Sequence, residues 1–180
     1  PYTIQLTYYY IQGEKAGVQS FNDVIDHFLN QQIVDFKQAA QEAAQYEQTT
    51  PSEVNYTLTI TYETAYLSSQ LVSLLFNVDT FLGGAHPMQT AYTINYDFTQ
   101  PALLTLADLF EPQAPYLNLL AEACINELTL RNAYDFPEGA KPIEENYRHW
   151  LLQPQGIEII FDPYQVAPYA LGRQKVLVPY

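Results

Sequence analysis

The sequence predicts an α+β fold: antiparallel sheets with one long N-terminal helix and a second helix packed on them. Three observations carry this. Several segments alternate apolar and polar residues with period two, the signature of half-buried strands. Phe21, Val24, Ile25, Phe28, Leu29, Ile33 and Phe36 recur at three- and four-residue spacing, which lines them along one face of a helix. A long helix followed by a run of strands is the pattern of helix packed on sheet.

Tyr2, Ile4, Leu6, Tyr8 and Tyr10 alternate with Thr3, Gln5, Thr7 and Tyr9, giving a first strand from Tyr2 to Ile11. Gly13 to Gly17 reads as a polar turn. Ser20 offers an N-cap with Asp23 three residues on, and the helix then runs to Gln48, before Thr49 and Pro51 end it. Its polar face carries Asp26, His27, Asp35, Glu42 and Glu47. Strands follow from Val54 to Glu63, from Leu71 to Val78 and from Met88 to Phe98. The middle one is apolar on both faces, as a central strand is. Thr105 to Phe110 reads as a short helical turn, and Pro115 opens a helix that reaches Arg131. Asn132 to Pro142 is a loop, and Asp162 to Arg173 is an irregular loop with two prolines. Short strands fall at His149–Gln153, Gly156–Phe161 and Lys175–Tyr180. No repeat or linker divides the chain. One compact unit over 1–180 is expected, with an N-terminal lobe 1–87 and a C-terminal lobe 88–180 sharing one core.

A chain of 180 residues buries roughly two-thirds of its unfolded surface, enough for a core without staples. Its 48% hydrophobic and 15% charged residues are a globular composition. The 16 tyrosines suit half-buried sheet faces or recognition surfaces, since tyrosine joins apolar area to a polar tip. Twenty acids against seven bases give a net charge of −13. That excludes nucleic acid, whose binders cluster Lys and Arg, and opposes an anionic membrane surface. It steers a cationic protein inward, or serves solubility alone. The lone Cys124 makes no internal disulfide and reads as a small buried hydrophobe. No run reaches the roughly 18 apolar residues of a membrane span. The start at Pro1 reads as a trimmed or processed end, so an upstream anchor is the expected route to any membrane.

His27, His86 and His149 have no partner at a recognisable ligand spacing, so no metal and no cofactor are expected. Neither a Gly-x-Ser-x-Gly elbow nor a phosphate-binding glycine loop occurs. The chain is therefore expected to bind rather than catalyse. The alternative is a polysaccharide-acting hydrolase that opposes two carboxylates from Glu63, Glu144, Glu145, Glu158 and Asp162. Adjacent Glu144 and Glu145 read most simply as a solvated charged stretch.

Two segments stand out. In Leu82-Gly83-Gly84-Ala85-His86-Pro87, paired glycines permit positive φ and Pro87 restrains His86 to extended geometry. This is either a structural turn or a binding loop held by the sheet behind it. In the segment from Phe161 to Gly172, Pro163 and Pro168 lower the loop's unbound entropy while Tyr164 and Tyr169 supply rigid amphipathic area. This loop either meets a partner or folds its tyrosines inward to cap the core. The candidate binding residues are Gly83, Gly84, His86, Pro163, Tyr164, Pro168 and Tyr169.

With Asn95-Tyr-Asp97, Leu106-Ala-Asp108-Leu-Phe110 and Val178-Pro-Tyr180, these segments resemble the C-terminal half of the RsiV-type anti-sigma factor extracytoplasmic domain. The N-terminal half resembles the region preceding the catalytic domain in PdaC-type peptidoglycan deacetylases. The resemblance implies an α+β domain outside the cytoplasm, periplasmic or at the cell surface, tethered by an upstream membrane helix or lipid. It implies a cationic protein such as lysozyme, or a cell-wall glycan, as partner. The chain departs from the family in showing no sigma-binding segment and no membrane helix. Gln100-Pro101 also stands where relatives carry a glycine turn after Asp97.

Overall fold

The computed structural model describes residues 1–14, 16–46 and 55–180. β1 (Tyr2–Leu6), α1 (Val18–Tyr46), β2 (Tyr56–Leu67), β3 (Leu71–Phe81), β4 (Met88–Asp97) and β5 (Ala102–Leu103) make the first half. α2 (Tyr116–Leu130), β6 (Trp150–Gln153), β7 (Gly156–Phe161) and β8 (Gln174–Pro179) follow, giving the expected α+β class. The strands form two sheets, in the orders β1-β2-β3-β4-β5 and β6-β7-β8.

Strand periodicity decides the layering. Val72, Leu74, Phe76 and Val78 of β3, with Ile94 and Tyr96 of β4, pack under Phe21, Ile25, Phe28 and Phe36 of α1. The alternate residues Leu75 and Ala91 face the other way and meet Leu151 and Ile160 of the second sheet. That sheet's remaining apolar residues, Trp150, Leu152, Ile157, Ile159 and Phe161, pack with Leu120, Ala121, Cys124 and Leu128 of α2. The order is therefore α1, first sheet, second sheet, α2. Each fully buried Leu, Ile or Phe in these layers contributes about 1.5–3 kcal/mol relative to exposure. Burial also pushes the Cys124 thiol up to about 12, which keeps it protonated and unreactive.

The expectation of antiparallel sheets needs one correction: β1 pairs with β2 in parallel, from Tyr2↔Tyr56 to Leu6↔Ile60. Parallel neighbours require a long crossover, and α1 is that crossover. β1 also stops at Leu6, short of the predicted Ile11. Beyond it the chain leaves the sheet, and Asn22, 2% exposed, holds Ile11 from both sides. Its Oδ1 accepts the Ile11 N–H (3.1 Å) and its Nδ2 donates to the Ile11 carbonyl (2.9 Å). α1 begins at Val18 rather than after Ser20. Gly17, at φ 83°, turns the chain one step earlier, and Val18 joins the buried stripe at 6% exposure. The predicted end of this helix at Gln48, its stop at Thr49 and Pro51, and the strand start at Val54 lie outside the described residues. The two-residue β5 has no sequence signal.

The second sheet is fastened to the first by side chains that stand in for a strand. β6 is an edge strand, and its outward backbone groups need partners. The Trp150 N–H donates to Thr93 Oγ1 (3.3 Å), Asn95 Nδ2 donates to the Trp150 carbonyl (2.9 Å), and the Leu152 N–H donates to Ser73 Oγ (3.0 Å). Ser73 Oγ in turn donates to Asn95 Oδ1 (2.5 Å). Ser73 and Asn95 are 0% and 3% exposed, so the bonds they make lie in the dry interior, while the Thr93 bond is partly buried. Asn95→Ala orphans the Trp150 carbonyl and removes the Ser73 acceptor. We expect it to cost about 1–3 kcal/mol, read as a fall in Tm of about 2–4 °C per kcal/mol in thermal unfolding.

Candidate functional site

The two segments singled out in the sequence are the hairpin connections of the two sheets, and they meet. Residues 82–87 join β3 to β4, and residues 162–173 join β7 to β8. Gly83 and Gly84 take φ 90° and 98°, the left-handed region that admits the sharp reversal. The ring of His86 stacks on that of Tyr169, with centroids 3.8 Å apart and planes at 20°. The Tyr169 hydroxyl donates to the Pro87 carbonyl (3.0 Å), and His86 Nδ1 lies 2.9 Å from the same oxygen. Tyr164 adds a third ring 5.5 Å from Tyr169. Tyr164 is half exposed and His86 and Tyr169 partly so. The result is an aromatic platform open to solvent.

Beneath the platform the loop is firmly seated. Pro163 is buried, so it braces the loop rather than offering a contact, and Pro168 is half-buried. Val166 and Ala167 are buried, and the Val166 carbonyl accepts the N–H groups of Asp135 and Phe136, each at 2.9 Å. Gln165 Nε2 donates to the carbonyls of Gly139 and Asn146, both at 3.0 Å. A Cβ at Gly139 would stand 1.8 Å from the Gln165 carbonyl oxygen, so this approach requires glycine. Tyr164 itself sits at φ 70°, which is uncommon for a bulky residue and is the kind of strain that collects at working sites.

The neck of the loop is closed by Asp162 and Arg173. Asp162 Oδ1 accepts the Ala91 N–H from β4 (2.7 Å) and the Arg173 Nε–H (3.2 Å). Arg173 also donates to Asn77 of β3. One buried carboxylate thus ties both ends of the loop to the first sheet. Burial pushes the Asp162 carboxyl above its usual range, against the pull of the Ala91 N–H and Arg173. His149 Nε2 lies 3.9 Å from Asp162 Oδ2 but already accepts the Arg148 Nε–H at 2.9 Å. The proton is therefore assigned to Nδ1. Burial and the guanidinia of Arg148 and Arg173 push the ring down to about 4. The pair is a neutral imidazole beside a carboxylate, not an ion pair, at neutral pH.

Of the five acids weighed for hydrolysis, two converge on one cation and two are engaged in other contacts. Glu63 Oε2 and Glu158 Oε2 lie 3.5 and 3.8 Å from one ammonium, that of Lys175, and the Asn77 hydrogen bond holds Glu63 below the usual carboxylate range. A general acid needs the opposite shift. Glu145 pairs with Arg148, and Asp162 is engaged in the neck. Among the described residues, no group of three His, Cys, Asp or Glu side chains is placed to hold a metal ion. Asp162, one of the candidate hydrolytic acids, instead pairs with Arg173 as a support of the loop, a role that no motif marks for either residue. The available signal was an acid and a base at opposite ends of one loop.

Two family matches divide the chain. Deacetylase PdaC matches residues 2–89, and the protein of unknown function DUF3298 matches residues 107–180. The peptidoglycan-N-acetylmuramic acid deacetylase PdaC of Bacillus subtilis is 29% identical over 165 residues, 89% of this chain and 34% of that protein. Immunogenic protein MPT64 of Mycobacterium tuberculosis is 26% identical over 137 residues, 72% of this chain and 59% of that protein. A crystal structure of a DUF3298 family member from Bacteroides fragilis aligns with a TM-score of 0.58 at 20% identity, over 93% of this chain and 68% of that one. Another from Pseudomonas aeruginosa gives 0.55 at 23%, over 76% and 65%. The chain spans about a third of the Bacillus relative and less than two-thirds of the mycobacterial one. Similarity to PdaC- and DUF3298-type domains, and so to a cell-wall-acting protein, extends along most of the chain. These matches correct the expectation that the chain is not an enzyme. That expectation rested on missing motifs, whereas a relative over 89% of the chain is named as a deacetylase. Among the described residues no helix is long and apolar enough to cross a membrane.

The neutral His149 sets an acid limit on stability. Its folded value of about 4 lies below the ordinary 6.5, so between those pH values the unfolded chain binds more protons and stability falls as pH falls. Asp162, shifted upward, acts in the opposite sense. The His149 share is therefore the difference between the parent and His149→Gln in urea titrations from pH 7 to 4. We expect the parent to lose up to about 1.4 kcal/mol per pH unit relative to the variant. Parallel curves exclude the assignment.

Proposed function

We propose that this is an extracytoplasmic recognition domain of the cell envelope whose contact surface is the platform of His86, Tyr164 and Tyr169, with peptidoglycan as ligand. The carrying observation is the convergence of two hairpin loops from different sheets into stacked, solvent-open rings on a braced support. Rings held in place before binding lose little entropy on contact, which concentrates affinity in them. Their apolar faces and polar edges match the mixed faces of sugar rings. The relative named for acting on peptidoglycan supports the ligand class and the compartment.

A second reading, of an RsiV-type sensor, takes a cationic protein of the lysozyme kind as ligand. The net charge of −13 favours it, because opposite charge steers association. The two separate by salt. Sedimentation with purified peptidoglycan at moderate salt tests the first, and titration with lysozyme at low and moderate salt tests the second. In whichever assay binds, Tyr169→Ala is expected to weaken affinity at least tenfold, about 1.4 kcal/mol, as an anchor residue does. Tyr169→Phe, which keeps the stack and loses only the Pro87 bond, should fall between. Retention by neither ligand at low salt removes the proposal.

A further inference from the structure

We infer that the groove between β5 and the Glu144–Arg148 turn is a docking site for an extended basic segment of a protein partner, which adds as a strand at Leu103. It goes beyond the platform reading and shares no residue with the platform. The groove has a volume of about 590 Å³, within the range of built ligand sites. Thr93, Asn95 and Trp150 line it with the apolar Leu106 and Leu117 and the charged Glu144, Glu145 and Arg148.

Backbone geometry supplies the recognition element. β5 pairs with β4 through Tyr96↔Leu103 and Asp97↔Ala102, and the Leu104 N–H donates to the Asn95 carbonyl (2.8 Å). Bonded and non-bonded pairs alternate along an antiparallel ladder, so Leu103 turns its N–H and C=O away from β4. Among the described residues no hydrogen bond reaches either group. An edge of this kind is a template for another strand. The fold covers the same side of the sheet elsewhere: Asp162 takes the Ala91 N–H, and Tyr169 takes the Pro87 carbonyl. At Leu103, on the wall of the groove, the edge is left open.

Charge selects the occupant. Glu145 is paired with Arg148, while Glu144 has no cationic partner among the described residues. An added strand presents alternate side chains to opposite sides. A Lys or Arg would reach Glu144, with an apolar neighbour against Leu106 and Leu117. A segment of alternating apolar and basic residues from a protein therefore fits the groove, and the net charge of −13 draws it in.

The test is an amide-resolved NMR titration at low salt with a capped hexapeptide alternating Val and Lys. Shifts at the amides of Leu103, Thr93 and Glu144 are expected. Affinity should drop at least tenfold when Gln replaces Lys, when alternate peptide nitrogens are methylated, and in Leu103→Pro. Glu144→Gln should weaken it severalfold. Tyr169→Ala should leave it unchanged, so failure here is separable from failure of the platform. Absence of these shifts at millimolar peptide overturns the inference, as does equal binding of the N-methylated peptide, which does not depend on how Leu103→Pro folds. Tighter binding of a cell-wall peptide fragment at these amides overturns the assigned occupant.

Discussion

The molecule turns on the bond set that joins its two sheets. Each sheet satisfies its own ladder, so hydrophobic contact between them would fix a distance and leave sliding and rotation loosely specified. Ser73, Thr93 and Asn95 remove that freedom. They hold the N–H and C=O groups of Trp150 and the N–H of Leu152 at set points on β3 and β4. The Ser73 and Asn95 bonds cannot be exchanged for ones to water, because those side chains are buried, and a shift by one residue would orphan several buried groups at once. Register between the sheets is thereby chemical rather than merely steric.

The platform inherits its precision from this joint. Its rings come from loops on different sheets, so their stacking at 3.8 Å requires the sheets to be locked already. Asp162 then acts as a second fastener nearer the site. By accepting from Ala91 on β4 and from Arg173 at the loop's end, it makes a twelve-residue connection behave as a closed ring with a short span. Its low exposure, with Arg173 beside it, keeps the pair in a medium where charge-assisted bonds are strong. Such a loop can carry Tyr164 at positive φ because its surroundings over-determine it.

Much of this was legible in the residues, for identifiable reasons. Period-two alternation is a direct image of a sheet with two different faces, so β4 emerges close to its true bounds, and β3 is legible as a run apolar on both faces. The Gly83-Gly84 pair and the Pro-Tyr loop were visible because they require special backbone freedom or restraint. What stayed hidden depends on distant partners. β1 ends at Leu6 because Asn22, on a helix, replaces the strand partner that Ile11 would otherwise need. β5 is two residues long and exists only because β4 offers it an edge. Likewise no local pattern distinguishes Asn95 as a buried clamp from a polar residue on a wet face, since both occupy the same place in the alternation.

The treatment of the β4–β5 edge ties recognition to stability in one device. An open sheet edge invites unselective pairing, and proteins suppress this with side chains, charges or short strands. Here suppression is graded along one line. Tyr169 and Asp162 cap Pro87 and Ala91, and they belong to the loop that carries the platform, so capping the edge and building the platform are one act. Farther along, the cover stops, and Leu103 and Glu144 line one groove. Charge there replaces cover. On the inferred docking, that charge repels a second copy of this acidic chain from the exposed edge and admits a strand of the opposite sign, so the edge is selective without being blocked.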